Sequence, residues 1–321
     1  MRSAAARVEQ SPIGSYTSQS RGARSLFREA RNLLESHRRD IPSRVGDVIE
    51  RLDEMSALLE ERYGVELEGL RMLDVGAGQY LGQMAYFARR NEVVGIDSDV
   101  IVQGFAVGGY VTMLRENGLR RTVKTVGRKA VGIDRAYREE MRRQLEAPDL
   151  PRPTARLMNA EDMAFPDASF DVVYAFVVFQ HLRRPDVVLH EMIRVLRPGG
   201  IVYLDLIPWT SRTGCHDIRI LGGREADLPL WPHLRPDYRH LVQESAYLNR
   251  YTLTEWETLF RSRMPDCAIL LRRPEADWLE PEARRLQEAG ELLEYDVSEL
   301  ATAKVVVTWQ KPGPWPPRAG R

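Results

Sequence analysis

Apolar positions between residues 25 and 63 recur at spacings of three and four, the period of an amphipathic helix. Pro42 separates them into two groups, which predicts two helices, and Gly64 predicts the end of the second helix. The first group comprises Leu26, Leu33 and Leu34, and the second comprises Val45, Val48, Ile49, Leu52, Met55, Leu58 and Leu59. The pattern therefore predicts an N-terminal helical segment over residues 25–69.

Short apolar runs separated by helix-sized gaps follow, in the order typical of a parallel α/β sheet. Helices are predicted over residues 185–196, closed by a left-handed glycine cap, and over 254–263, begun by Thr252 or Thr254. Strands are predicted over residues 72–75, 92–97, 155–158, 169–176, 201–206, 267–271 and 304–309. We predict an α/β fold: a Rossmann-like, seven-stranded, mostly parallel sheet with helices on both faces and an antiparallel edge formed by a late strand hairpin.

The remaining segments divide the chain into one domain with additions. Residues 1–24 are rich in Ser, Ala and Arg and are expected to form a disordered tail, and residues 311–321 a loose C-terminal tail. Between them, residues 25–310 form the domain, with a helical insertion over 98–153. Residues 208–250, rich in Pro, Trp, His and Gly, are expected to cover the acceptor pocket.

Composition excludes several classes of protein. The 46 basic and 46 acidic residues balance, so the overall charge gives no sign of nucleic-acid binding. Cys215 and Cys267 are too few for a disulfide framework or a zinc site, and no other metal-ligand spacing repeats. Because no apolar run is long enough to cross a bilayer and no secretory signal is recognisable, we expect a cytoplasmic protein without a membrane partner.

The run Leu73–Gly78 carries the first chemical signal, because its glycines end a strand, open a helix and let the backbone approach a ligand. Asp97 lies at the tip of the second strand, where an acid accepts the ribose hydroxyls of a nucleoside. A nicotinamide dehydrogenase shares this arrangement, but the third glycine of its fingerprint would fall at Leu81. The combination therefore indicates a different nucleoside cofactor.

These residues resemble class I S-adenosylmethionine-dependent methyltransferases. Residues 159–171 are similar to a further motif of that family, and residues 195–200 to its connection into the fifth strand. The resemblance covers about residues 70–207 and implies S-adenosyl-L-methionine as the cofactor, with Asp162 accepting from the adenine amine and the Met163 amide contacting the ring edge. The cofactor-binding residues that it implies are Asp74, Gly76, Ala77, Gly78, Asp97, Ser98, Asp162, Met163 and Phe176.

The acceptor is expected to be a small molecule, from specialised metabolism or glycan assembly, methylated on oxygen by in-line transfer. A hydroxyl acceptor usually needs a base, and His181, His216 and His233 are the candidates. Asp217 is placed to orient His216, and Trp231 to form an aromatic wall or the small core under a long loop.

Several alternatives remain open at this stage. The basic insertion, which includes Arg115, Arg120, Arg121 and Lys124, either recognises an anionic acceptor or forms a solvated helix face. The same fold supports methylation of nitrogen or carbon, an RNA methyltransferase, for which the aromatic residues of the insertion are few, or a non-catalytic partner that holds the cofactor. The oligomeric state is also open.

Overall fold

The computed structural model describes residues 40–102, 107–221 and 227–315 of the 321-residue chain. The tail predicted over residues 1–24 and the first predicted helix lie outside the described residues, as do residues 316–321 of the predicted C-terminal tail.

The described residues form a seven-stranded sheet in the order β3-β2-β1-β4-β5-β7-β6. The first five strands run parallel, and β7 is antiparallel to both β5 and β6. The predicted mixed α/β sheet is therefore confirmed. The strands are β1 (Arg71–Val75), β2 (Glu92–Asp97), β3 (Ala155–Leu157), β4 (Phe170–Phe176), β5 (Leu196–Leu206), β6 (Ala268–Arg272) and β7 (Lys304–Gln310).

Helices cover both faces of the sheet. On one face α1 packs Leu52 and Met55 against apolar side chains of the sheet, and on the other α5 and α7 contribute Leu189 and Phe260. Both packed layers are the reason that every residue of β4 is buried. The helices are α1 (Ile41–Tyr63), α2 (Gly82–Phe87), α3 (Val107–Ala130), α4 (Ile133–Gln144), α5 (Pro185–Val195), α6 (Ile218–Leu221), α7 (Leu253–Arg263), α8 (Ala276–Glu288) and α9 (Val297–Leu300).

The connection from α5 into β5 differs from the expected glycine cap. Helix α5 ends at Val195, and Leu196 is already extended and begins β5. Gly199 does have a left-handed φ of 78°, but it lies inside β5. A Cβ atom there would come within 2.0 Å of the Pro314 carbonyl oxygen, so the glycine allows the C-terminal segment to approach.

The last two strands form the predicted antiparallel edge, but α8 and α9 connect β6 to β7 where a short hairpin turn was expected. Both helices pack against the segment that follows β5. Trp231 is fully buried between Leu279, Leu286 and Leu300, and its Nε1 donates to the Leu300 carbonyl at 3.3 Å. Trp231 is therefore a core residue under the long loop and not a wall of an acceptor pocket.

Candidate active site

The carboxyl ends of the parallel strands meet at one edge of the sheet, and most of the predicted site residues lie there. Asp74 is in β1, Asp97 ends β2 and Phe176 ends β4. Ligands of open α/β sheets bind at this edge, in the crevice where the strand order reverses. Here the reversal falls between β1 and β4.

The glycine turn after β1 uses two left-handed residues for two different purposes. Gly76 has φ 80°, and a Cβ atom there would lie 2.4 Å from Val178 Cγ2, so the glycine lets the loop after β4 close onto the turn. Gly78 has φ 68°, and a Cβ atom there would meet no atom of the described residues within 4 Å. The open space beside Gly78 leaves room for a ligand to approach the backbone, and its use by a nucleoside stays a prediction.

Asp97 holds the turn in place. Its Oδ2 accepts a hydrogen bond from the Gly78 amide at 2.9 Å, and its Oδ1 accepts one from the Asp99 amide, also at 2.9 Å. Burial raises the pKa of the Asp97 carboxyl. Two carboxylate oxygens accept about four hydrogen bonds, so Asp97 retains capacity for ribose hydroxyls beside the turn. Ser98, the next residue, is exposed.

Asp74 is a buried carboxyl with an incomplete set of partners. Its Oδ1 accepts a long bond of 3.5 Å from Gln83 Nε2, and its Oδ2 makes no hydrogen bond with any described residue. Burial raises the pKa of Asp74 to about 8, against the lowering effects of Gln83, Tyr174 and Arg51. A buried acid with an open oxygen fits the ammonium group at the amino-acid end of S-adenosylmethionine.

The adenine contact predicted for Met163 is wrong, because its amide donates to Glu191 Oε2 at 2.8 Å and its side chain is buried in the core. Asp162 is exposed, so its contact with the adenine amine stays a prediction. Asn159 lies at the same edge of the sheet. The Met158 amide donates to the Asp97 carbonyl at 3.0 Å, which places Asn159 directly beyond the tip of β2. Asn159 was not among the predicted site residues, although it is a polar residue directly after the predicted third strand.

Ala77 and Phe176 shape the site through packing. The amides of Gly76 and Ala77 both donate to the Ile96 carbonyl, and the Ala77 side chain is buried with Leu81. The Phe176 ring lies among Tyr174, Tyr203 and an arginine of α1. A direct contact of Phe176 with a cofactor stays a prediction.

Two of the three predicted histidines come into direct contact, although 35 residues separate them in the sequence. The rings of His181 and His216 meet edge to face, with centroids 4.8 Å apart. Burial, with smaller contributions from the neighbouring His181 and His233, lowers the pKa of His216 to about 3. Burial likewise lowers the pKa of His233 to about 4. All three groups are therefore neutral at physiological pH, since burial also lowers the pKa of His181.

Hydrogen bonds assign the tautomers of two of these rings. His181 Nδ1 lies 2.9 Å from the Tyr247 carbonyl oxygen, and His233 Nε2 lies 2.7 Å from that of Trp209. A carbonyl only accepts, so these nitrogens carry the protons, and His181 Nε2 and His233 Nδ1 hold lone pairs. His216 Nε2 and both amide atoms of Gln180 are buried without a hydrogen-bond partner among the described residues.

Asp217 does not orient His216 as predicted. Its two oxygens accept from Arg219 Nε and Nη2 at 2.8 Å each, and Oδ2 also accepts from the Gln243 amide. The carboxylate is therefore fully engaged in holding the loop that follows β5, and the Gly214–Asp217 run supplies only an imidazole to the site.

Several positive charges of the helical insertion are paired within it, whereas the side chains of Arg120 and Lys124 lie outside those that the structure describes. Arg121 pairs with Asp99, and Arg128 and Lys129 both pair with Asp134. In residues 40–102, 107–221 and 227–315, no group of three or more His, Cys, Asp and Glu is arranged to hold a metal ion. No helix in the same ranges is long and apolar enough to span a membrane.

The sequence profile of a family described as "Methyltransferase domain" matches residues 104–204, and a probable S-adenosylmethionine-dependent methyltransferase of Mycolicibacterium smegmatis is 32% identical over 128 residues. Parts of the chain are therefore similar to S-adenosylmethionine-dependent methyltransferases. The alignment covers 38% of this chain and 45% of that relative. An uncharacterised methyltransferase of Mycobacterium avium is 36% identical over 78 residues, 23% of this chain and 31% of the relative. The alignments thus span less than half the length of each of these relatives.

The solved structures that match this chain share little sequence with it. The [4+2]-cyclase SpnF is 18% identical with a TM-score of 0.40, and the alignment covers 82% of this chain and 81% of the cyclase. The Haemonchus contortus phosphoethanolamine N-methyltransferase 2, in complex with S-adenosyl-L-methionine, is 19% identical with a TM-score of 0.44, over 81% of this chain and 52% of that one.

Proposed function

We propose that this chain methylates a hydroxyl group of a small, uncharged acceptor, with S-adenosylmethionine as methyl donor and His181 as the base. When bound, the cofactor supplies a methyl group already activated on a sulfonium. The contribution of the protein is then to align the acceptor, exclude water and remove the hydroxyl proton.

The state of His181 is the observation that carries the proposal. His181 ends a 3₁₀ helix (Phe179–His181) in the loop after β4, and Val178 of the same loop lies against Gly76 in the cofactor turn. The Tyr247 carbonyl fixes the proton on Nδ1, so the lone pair of the neutral ring is on Nε2. Because burial keeps the ring neutral, His181 is in the form that a general base requires.

The surroundings of His181 suit a neutral, hydroxylated acceptor. His216 and His233 are neutral and buried, and Gln180 is 3% exposed with its amide oxygen and nitrogen both unpartnered among the described residues. Buried polar groups without partners are costly, so they favour a ligand that donates and accepts hydrogen bonds. The paired charges of the insertion give no support to an RNA acceptor.

Methyl uptake from labelled S-adenosylmethionine tests the proposal, with a panel of glycosides, phenols and primary amines as acceptors. We expect an O-methylated product, and we expect His181→Ala to lower kcat by roughly a hundredfold or more. The exposed His190 of α5 supplies the matched control, His190→Ala, which should retain wild-type kcat. Products methylated only on nitrogen would reject the hydroxyl acceptor. An unchanged kcat in His181→Ala would reject His181 as the base.

A further inference from the structure

Two polar side chains of helix α3 hold the loop that follows β2. Asn117 Oδ1 accepts a hydrogen bond from the Val100 amide at 2.8 Å, and Asn117 Nδ2 donates one to the Val100 carbonyl at 2.9 Å. Four residues further along the helix, Arg121 pairs with Asp99. The helical insertion is therefore attached to two consecutive residues of this loop.

A kink at Gly118 separates these two side chains along α3. Gly118 has φ 78° and ψ 166°, a backbone conformation that is essentially confined to glycine. The Thr122 hydroxyl donates to the Gly118 carbonyl at 3.0 Å, so the kink does not leave that oxygen without a donor. Asn117 thus belongs to the first half of the helix and Arg121 to the second, and both halves contact the same loop.

The loop that α3 holds also carries a donor to Asp97, the residue predicted to bind the ribose. The Asp99 amide donates to Asp97 Oδ1 at 2.9 Å, and the Gly78 amide donates to Asp97 Oδ2 at 2.9 Å. The orientation of the Asp97 carboxylate therefore depends on the position of the Asp99 backbone. Because α3 pairs with the Asp99 side chain, a chain of direct contacts joins the insertion to Asp97.

Arg121 also supplies the positive charge that two neighbouring acids need. Burial raises the pKa of both Asp97 and Asp99, and the Arg121 charge acts against that rise at each of them. Two buried carboxyls this close together ionise less readily without a cation beside them. An ionised carboxylate accepts hydrogen bonds with both oxygens, which is the form that suits two ribose hydroxyls.

The contacts of Arg121 differ from both roles that the sequence suggested for the basic insertion. Its partner Asp99 is only 4% exposed and lies at the edge of the sheet where the cofactor residues meet. Arg115 of the same helix shows the contrast, because its side chain is 85% exposed and lies 3.7 Å from the adjacent Glu116. Arg115 fits a solvated helix face, whereas Arg121 is tied to the loop beside Asp97.

We propose that Asn117 and Arg121 are positioning residues for the ribose of the cofactor. They hold the loop after β2 so that the Asp97 carboxylate faces the two ribose hydroxyls. This inference rests on the proposed function, because it takes S-adenosylmethionine or its product S-adenosylhomocysteine as the ligand. It assigns this part of the insertion to cofactor binding in place of acceptor recognition.

Calorimetric titration with S-adenosylhomocysteine and with its 2′-deoxyribose analogue tests the assignment. The ratio of the two dissociation constants measures the contribution of the ribose 2′-hydroxyl. In the wild type we expect the analogue to bind about tenfold more weakly or worse, the effect of losing a hydrogen bond to a charged group. In Arg121→Gln we expect this ratio to fall by at least about threefold, because residues of one hydrogen-bonded network are coupled.

Three further variants make the test decisive. Arg115→Gln removes an exposed arginine from the same helix and should leave both dissociation constants unchanged. Asn117→Ala removes both hydrogen bonds to Val100 and should lower the ratio in the same direction as Arg121→Gln. Arg121→Lys keeps the charge but not the planar fork, so it should retain more of the wild-type ratio than Arg121→Gln. If Arg121→Gln does not fold, Asn117→Ala and Arg121→Lys decide the question.

The possible outcomes separate the inference from the proposed function. An unchanged ratio in the folded Arg121 and Asn117 variants, even with weaker binding of both ligands, would assign these residues to the stability of the insertion and overturn the inference. A wild-type ratio near one would overturn it as well, because Asp97 would then make no contact with the 2′-hydroxyl. In either case the wild-type protein would still bind S-adenosylhomocysteine, so the proposed function would stand. Failure of the folded wild-type protein to bind either ligand would reject both.

Discussion

At the scale of single residues, Asp74 carries the most unusual electrostatic state of the cofactor edge. It is fully buried, and burial, reinforced by the nearby Asp97, raises the pKa of its carboxyl to about 8. The carboxyl is thus mostly protonated at neutral pH without ligand. An ammonium group placed beside it would favour the ionised form and lower that pKa again.

Binding of S-adenosylhomocysteine should therefore release a proton. If the bound carboxyl is fully ionised, about 0.9 proton leaves per ligand at pH 7, given a free-state pKa of about 8. Titrations in buffers of different ionisation enthalpy measure this number directly, and Asp74→Asn should reduce it to near zero. A wild-type protein that binds the ligand without releasing a proton would contradict the assigned state of Asp74.

Some site residues were predictable because their chemistry is local. Gly76, Gly78 and Asp97 belong to one turn and one strand tip, and the Asp97 carboxylate accepts from the Gly78 amide as that placement requires. Met163 was assigned wrongly because the partner of its amide, Glu191, lies 28 residues further along the chain on α5. Local sequence does not reveal which distant side chain takes up a backbone donor.

At the scale of elements, the predicted strands agree with the structure because each combines an apolar run with flanking turn residues. Helix α8, which contains Pro281, is not among the elements predicted from the sequence. Its apolar residues pack against Trp231, more than forty positions earlier in the chain. Tertiary packing of these apolar residues therefore contributes to the stability of this helix.

The start of helix α7 is determined by neighbouring residues, because two side chains form its N-cap. Thr252 Oγ1 accepts from the Glu255 amide at 3.3 Å, and Glu255 Oε2 accepts from the Thr252 amide at 2.8 Å. Thr252→Ala should lower the free energy of unfolding by about 1 kcal/mol, as measured in urea. Thr254→Ala, at the exposed alternative cap position, should cost less than about 0.5 kcal/mol. Equal costs would contradict the assigned cap.

At the scale of the whole molecule, the segment after β5 joins the sheet to the C-terminal helices and buries two histidines in the process. His233 donates to the Trp209 carbonyl, and His216 contacts His181 of the loop after β4. Both rings must stay neutral in the folded chain, whereas in the unfolded chain they titrate at about 6.5. Folding is therefore coupled to pH through this segment.

The coupling has a definite sign. Below pH 6.5 the unfolded chain binds protons at His216 and His233, whereas the folded chain keeps both rings neutral. The free energy of unfolding is therefore highest above pH 6.5 and decreases as the pH falls towards 4. At pH 5 each histidine should lower the free energy of unfolding by about 2 kcal/mol relative to its value at pH 7.5. The raised pKa of Asp74 has the opposite effect, because its protonation on acidification favours the folded chain. The quantity to compare between variants is therefore the loss of unfolding free energy from pH 7.5 to pH 5.

Urea unfolding at pH 7.5 and pH 5 measures that difference. The double variant His216→Asn, His233→Gln should lose less stability on acidification than the wild type, while His240→Gln, at an exposed position, should behave as the wild type. Asn suits position 216 because the backbone there has a φ of 46°, which Asn tolerates better than most residues. An identical loss in the double variant and the wild type would contradict the burial of neutral rings.

Calorimetric titration of the intact protein with S-adenosylhomocysteine, beside Asp97→Asn, tests the central claim most directly. We expect a dissociation constant on the order of micromolar for the wild type and for the exposed-site control Asp149→Ala, and a loss of at least about tenfold in Asp97→Asn. Thermal unfolding of the wild type and both variants serves as the control, because a cooperative transition in each shows that all three are folded. A folded wild-type protein that does not bind S-adenosylhomocysteine, or an Asp97→Asn variant that binds it equally well, would contradict the assignment of this edge of the sheet to the cofactor.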